Sequence, residues 1–236
     1  MKKLLTLIAI AVISLSVNAQ KDVTTFLGIP VDGTKAEMIQ KLKAKGFTST
    51  SYDKDILEGE FNGRDVTIHV VTNGNKVYRI MVVDANTSNE SDIKIRFNNL
   101  CRQFEKNGKY IPMDDNQLIP EDEQIGMQMS IYNKRYEAGY FQKPRWLTNP
   151  EKADTTYIQQ EILQRLKLKY TQEQIENPTE EISKEMQEIS QKFAFEMVEK
   201  KIVWFMISKE TGLLSRGYNI YMYYDNEYNH ADGEDL

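Results

Sequence analysis

The chain has 236 residues, with 30 Lys and Arg against 35 Asp and Glu. The net charge of −5 provides no positive field to gather phosphate, which excludes a strongly basic nucleic-acid binder. Twelve glycines and six prolines are too few for a collagen-like, linker-rich or disordered chain, and a 40% apolar share can bury a proper core.

The first element reads as a secretory signal peptide spanning 1–19. Lys2 and Lys3 form a basic start, Leu4 to Val17 an apolar run, and Val17-Asn18-Ala19 sets small residues at a cut after Ala19. The run is shorter than the ~20 residues of a membrane span. Removal leaves 217 residues at a net charge of −7, since two lysines depart. The mature chain, 20–236, is expected to be exported, periplasmic or extracellular, with no membrane span after signal removal.

Thr34-Lys35-Ala36-Glu37 is a capping box, and Gly46 supplies a left-handed stop, so a helix is predicted over Lys35 to Lys45. Asn62-Gly63 predicts a hairpin between Ile56–Phe61 and Arg64–Thr72, pairing Phe61 with Arg64, Gly59 with Val66 and Leu57 with Ile68. Asn73-Gly74-Asn75 leads into a third strand, Lys76 to Asp84. A three-residue loop there pairs Val70 with Tyr78, Ile68 with Ile80 and Val66 with Val82, keeping one face apolar. The other face then sets His69 opposite Arg79 and Thr67 opposite Met81.

A second helix is predicted from Ser91 to Lys106, with Cys101 on the edge of the stripe Ile93, Phe97, Leu100 and Phe104. As the one cysteine, it can form no intramolecular disulfide and reads as a buried small hydrophobe. Tyr110 to Ile111 starts a strand, and Pro112 to Glu123 is an acidic loop. Ile125, Met127, Met129 and Ile131 alternate as a strand would, and Tyr136, Ala138 and Tyr140 complete a second hairpin. Lys143 to Pro150 contains two prolines, and 143–153 is the one plausible sub-boundary within a single domain over 20–236. Helices follow over Asp154 to Tyr170 and from Thr179 through the stripe Ile182, Met186, Ile189, Phe193 and Met197. A final hairpin joins Ile202–Ser208 to Tyr218–Tyr224 through Glu210-Thr211-Gly212. Both of its faces are apolar or aromatic, predicting a central pair covered on both sides. The fold class is α+β: a mainly antiparallel sheet built from hairpins and packed by amphipathic helices. A helix followed by a hairpin recurs three times, although these units do not align residue by residue.

Catalytic signals are sparse. His69 and His230 are the two histidines, and no Gly-x-Ser-x-Gly, Gly-x-Gly-x-x-Gly or metal-ligand spacing occurs. No catalytic, cofactor or metal residues are assigned, and no cofactor is expected. Asp225, Glu227 and Asn229 alternate as calcium-loop ligands do, but His230 stands where the loop glycine belongs, so the segment reads as a solvated acidic tail. Tyr140, Phe141, Arg145 and Trp146 gather near the Pro-broken stretch, either as an aromatic platform or as core filling. Trp204 is predicted buried and Trp146 near the surface. Asn86-Thr87-Ser88 fits an N-glycosylation acceptor and Asp154-Thr155-Thr156 a three-residue O-glycosylation acceptor.

The segments Phe26-Leu27-Gly28-Ile29-Pro30-Val31-Asp32-Gly33-Thr34 and Tyr224-Asp225-Asn226 to Leu236, with the first meander, resemble the uncharacterised exported α+β proteins of gut Bacteroidetes. The resemblance implies an envelope location and a small α+β fold, and no activity. Gly33-Thr34 opening a helix before an antiparallel sheet is also similar to the outer-membrane assembly lipoprotein and β-lactamase-inhibitor-like folds. The expected function is a non-enzymatic exported binding module acting on a protein or glycan partner through a sheet face or an aromatic edge. The alternatives are a carboxylate-based, glycosidase-like hydrolase and a self-associating structural envelope protein.

Overall fold

The computed structural model describes residues 21–149, 155–211 and 216–230, so the signal segment and Asp154 lie outside the described residues. The chain divides into two compact units, one of Met1–Asp22 with Pro144–Val198 and a larger one of Val23–Lys143 with Glu199–Leu236. The chain crosses between them at Asp22/Val23, and again in the Pro-broken stretch at Lys143/Pro144. The third crossing, at Val198/Glu199, falls inside a continuous helix, where composition gives no sign of it.

The larger unit opens with a small hairpin, β1 (Thr25–Phe26) and β2 (Ile29–Pro30), turned by Leu27 and Gly28 at positive φ. Its sheet holds β3 (Thr48–Ser49), β4 (Ile56–Phe61), β5 (Arg64–Asn73), β6 (Lys76–Asp84), β7 (Tyr110–Pro112), β8 (Glu137–Gln142), β9 (Lys201–Thr211) and β10 (Arg216–Asn226). The spatial order is β3-β4-β5-β6-β10-β9-β8-β7, and every neighbouring pair is antiparallel. The three-fold recurrence in the sequence is therefore a two-fold one: helix α1 (Lys35–Lys43) precedes β3 to β6, and helix α2 (Glu90–Lys106) precedes β7 to β10. The two meanders meet edge to edge at β6 and β10. The second meander is interrupted by helix α3 (Ile125–Ile131) and by the helical unit inserted between β8 and β9, which hides the repeat from a sequence alignment.

Local chemistry explains these elements. The Thr34 hydroxyl accepts from the Glu37 N–H while the Glu37 carboxylate accepts from the Thr34 N–H, closing the capping box. The Asn62-Gly63 hairpin holds the expected register, Phe61 with Arg64 and Leu57 with Ile68. The next turn differs from expectation. Asn73 pairs with Lys76, and a bulge between Val71 and Thr72 brings Ile68 opposite Val82 and Val70 opposite Ile80. The bulge restores the parity that the shorter turn would have broken, so the apolar face survives with partners displaced by two. His69 therefore faces Met81, and Arg79 faces Val71.

Two further expectations are corrected. Ile125 to Ile131 is helical. Ile125 and Met129 at i, i+4 turn to the core, while Met127 and Ile131 stay exposed, a pattern that alternation cannot distinguish from a strand in a run this short. Glu210 and Thr211 extend β9, paired with Gly217 and Arg216, and Gly212 lies outside the described residues.

Helices α1, α2 and α3 all pack on one face of the sheet. Phe97 and Phe104 of α2 contact Phe205 of β9, and Phe104 stacks on Tyr140 of β8. Met38, Leu42, Leu57, Ile68, Ile80, Ile93 and Phe205 are all fully buried in this core. Phe47 lies over Gly59, where a Cβ would stand 2.6 Å from its ring. Asp84 of β6 pins α2 through a buried bidentate pair with Arg96, both contacts being 2.6 Å.

The smaller unit is helical: α4 (Arg145–Thr148), α5 (Thr156–Lys167), α6 (Gln172–Glu176) and α7 (Glu180–Glu199). Leu166, Ile175 and Met186 form its buried cluster, with Ile162, Leu163, Tyr170, Ile182 and Ile189 packed around them. Arg165 bonds Glu196 at 2.6 Å and lies 4.6 Å from the Phe193 ring centre. Within this unit, buried Asp22 accepts from the Arg145 N–H and guanidinium. Among the described residues, no helix is long and apolar enough to cross a membrane.

Candidate sheet-face binding site

Because side chains alternate along strands, the sheet has a second face that no helix of the larger unit covers. Register defines its composition. One row crosses six strands as Ile56, His69, Met81, Tyr223, Trp204 and Gly139. The next runs Val71, Arg79, Asp225, Ile202 and Phe141, and a third runs Thr67, Val83, Tyr221, Met206 and Glu137. Most of these side chains are half-buried, so the central strand pair is fully buried on one face and partly exposed on the other. Trp204 belongs to the half-exposed set, contrary to the expectation that it is buried. Aromatic character on both sides of β9 and β10 suggested two covers because ring hydrophobicity looks the same in core and at an interface.

Four residues organise the centre of this face. Trp204 and Tyr223 stand directly opposite each other on β9 and β10, and their rings stack at 4.1 Å, 18° from parallel. Arg79 lies against the Tyr223 ring, 4.8 Å from its centre. Its guanidinium donates two hydrogen bonds to Asp225, at 2.7 and 2.8 Å. The Trp204 indole N–H donates to the second Asp225 oxygen at 2.9 Å. The Asp225 side chain is 4% exposed and that of Arg79 is 24% exposed. Asp225 holds the guanidinium charged and pushes its pKa further up. Burial raises the Tyr223 phenol, with Arg79 opposing. The result is a rigid stack of guanidinium, phenol and indole whose rotamers are fixed by one buried carboxylate.

This placement corrects the reading of the C-terminal segment. Asp225 is a strand residue gripped by Arg79 and Trp204, not a ligand in a calcium loop or part of a solvated tail. The Asn229 side-chain amide donates to Asp32 and to the Val77 carbonyl, and His230 meets Tyr78 edge-on at 5.1 Å. The proposed aromatic cluster also separates. Tyr140 faces the core, Phe141 faces the other side, and Arg145 and Trp146 belong to the helical unit. Trp146 is half-buried there, its indole N–H without an acceptor among the described residues.

The remaining sequence candidates are placed as follows. His69 contacts Thr67 Oγ1 at 3.4 Å, and its pKa is lowered by burial, with Asp53 partly opposing. Cys101 is buried in α2, and burial pushes its thiol up to about 11. Among the described residues, no group of three His, Cys, Asp or Glu side chains is placed to hold a metal. The alternation of apolar residues on β5, β6, β9 and β10 contained the site. Its assembly depended on the β6–β10 pairing, which no local pattern reveals.

Comparison with known proteins finds no matching family model, no matching curated protein and no matching solved structure.

Proposed function

We propose that the chain is an exported, non-enzymatic binding module of the cell envelope that docks a protein partner on the sheet face opposite α1, α2 and α3. The observation that carries the reading is the Arg79–Tyr223–Trp204 stack, locked by Asp225 at the centre of a half-exposed apolar face. Trp, Tyr and Arg are the residue types that dominate binding energy at protein interfaces. Fixed rotamers lower the entropy lost on docking.

A protein partner fits better than a glycan. Sugars pack flat on open ring faces, whereas the Trp204 and Tyr223 faces are stacked on each other. On the far side of Trp204, Met113 fills the space above Gly139. The signal pattern over 1–19 supports an exported location.

The test uses residues 20–236 as bait for envelope extract, beside W204A and Y223A. Capture of a defined protein by the native chain, lost in both variants while both still melt cooperatively within a few degrees of it, is the expected result. A W146F background isolates Trp204 fluorescence. A saturable Trp204 response to a glycan panel, with no protein captured, would replace the protein partner by a sugar.

A further inference from the structure

A cavity of about 670 Å³ lies on the other, helix-covered face of the larger unit. That is within the ~300–1,000 Å³ of small-molecule sites. Its buried lining is aromatic, from Phe47 and Phe104, and includes Met222 and Tyr224 of β10. Its exposed lining carries Lys45, Lys109 and Glu60.

Two phenols in this lining have unspent donors. Tyr224 is 5% exposed, and its hydroxyl has no hydrogen-bond partner among the described residues. Tyr110 accepts from the Gln142 side-chain amide at 3.3 Å, leaving its own proton without an acceptor. Gln142 is occupied elsewhere, since it accepts from the Thr25 N–H and donates to the Thr25 carbonyl. Both hydroxyls belong to residues that line the cavity and keep a proton to donate, so this geometry suits a ligand that brings an acceptor.

The charge of the lining decides which acceptor. Lys45 and Lys109 outnumber Glu60, and none of the three forms an ion pair among the described residues. A positive cavity in a chain of net charge −5 favours an anion. The C-terminal end of α2 contributes opposing partial charge. Its Gln103 and Phe104 carbonyls, however, already accept from the Asn107 N–H, and two full positive charges outweigh the remainder.

We propose that this cavity binds a small aromatic carboxylic acid. The ring sits among Phe47, Phe61 and Phe104, and the carboxylate accepts from the Tyr224 and Tyr110 hydroxyls in the field of Lys45 and Lys109.

The test is calorimetric titration of the protein with 2-naphthoate and with its neutral isostere 2-naphthamide. The acid is expected to bind saturably and about tenfold tighter than the amide, the scale of one charge-assisted hydrogen bond. Y224F keeps the ring and the packing and removes only the hydroxyl, so it is expected to weaken the acid about tenfold and the amide, whose carbonyl accepts a weaker neutral hydrogen bond, by less. K45Q/K109Q lowers affinity for the acid and flattens its salt dependence, while W204A on the opposite face leaves it intact. Equal affinity for acid and amide, an unaffected Y224F, or no saturable binding up to roughly 1 mM would overturn the proposal.

Discussion

Among the described residues, each face of the eight-stranded sheet carries one bidentate arginine–aspartate pair, and the two pairs serve different ends. On the covered face, Asp84 and Arg96 join a strand to a helix, with side chains only 7% and 9% exposed. On the face opposite α1 to α3, Asp225 and Arg79 join neighbouring strands, and the arginine stays 24% exposed against a phenol. The same ion-pair chemistry thus fastens a layer in one place and steadies a surface in the other. Burial, not the identity of the residues, separates the two roles.

The sharpest way to break this contrast is to truncate two adjacent residues of β9 that point to opposite faces. Phe205→Ala empties a fully buried site stacked on Phe104 and is expected to cost about 3–5 kcal/mol in denaturant unfolding. Arg96→Met leaves Asp84 buried and unpaired and should cost about 3 kcal/mol or more, while Arg79→Met, nearer to solvent, should cost about half that. Equal costs for the two arginine variants would erase the distinction between the faces.

A pH series sharpens the comparison from the covered side. The folded state raises the Cys101 thiol from 9.0 to about 11, so the native chain holds that proton more tightly than the unfolded chain. The corresponding stability is complete below about pH 9 and is lost as pH rises through about 11, a decline of at most about 3 kcal/mol. In C101A this share of the decline should vanish, leaving the share of the raised tyrosines, when denaturant midpoints are compared across that window. The smallest expected effect is that of Trp204→Ala, about 1 kcal/mol in stability because the ring is half-exposed, set against complete loss of partner capture. A large stability loss in that variant would make the open face a structural layer.

How much of this was legible depended on how local each feature is. The Thr34 capping box and the Asn62-Gly63 hairpin are short-range and were read with their residue partners. The bulge at Val71 and Thr72 has no residue signature, and only its effect, preserved parity, could be anticipated. Ile125 to Ile131 went astray because seven residues of alternating size suit either period. The Arg79–Tyr223–Trp204–Asp225 group was out of reach, since it joins β6 to strands well over a hundred residues later in the chain. Asp225 alone looked like an acid in an acidic run.

The seam between the meanders has a consequence for how the protein is made. β10 emerges after every other strand, yet it takes a central place beside β6. Until it emerges, β6 is a bare edge of nine residues, rich in valine and isoleucine, with its apolar side facing the core. Such an edge is a template for pairing with a neighbouring chain. A chain ending before residue 216 therefore leaves the β6 edge unpaired, and such a truncation is expected to aggregate more readily than the full chain, which light scattering checks.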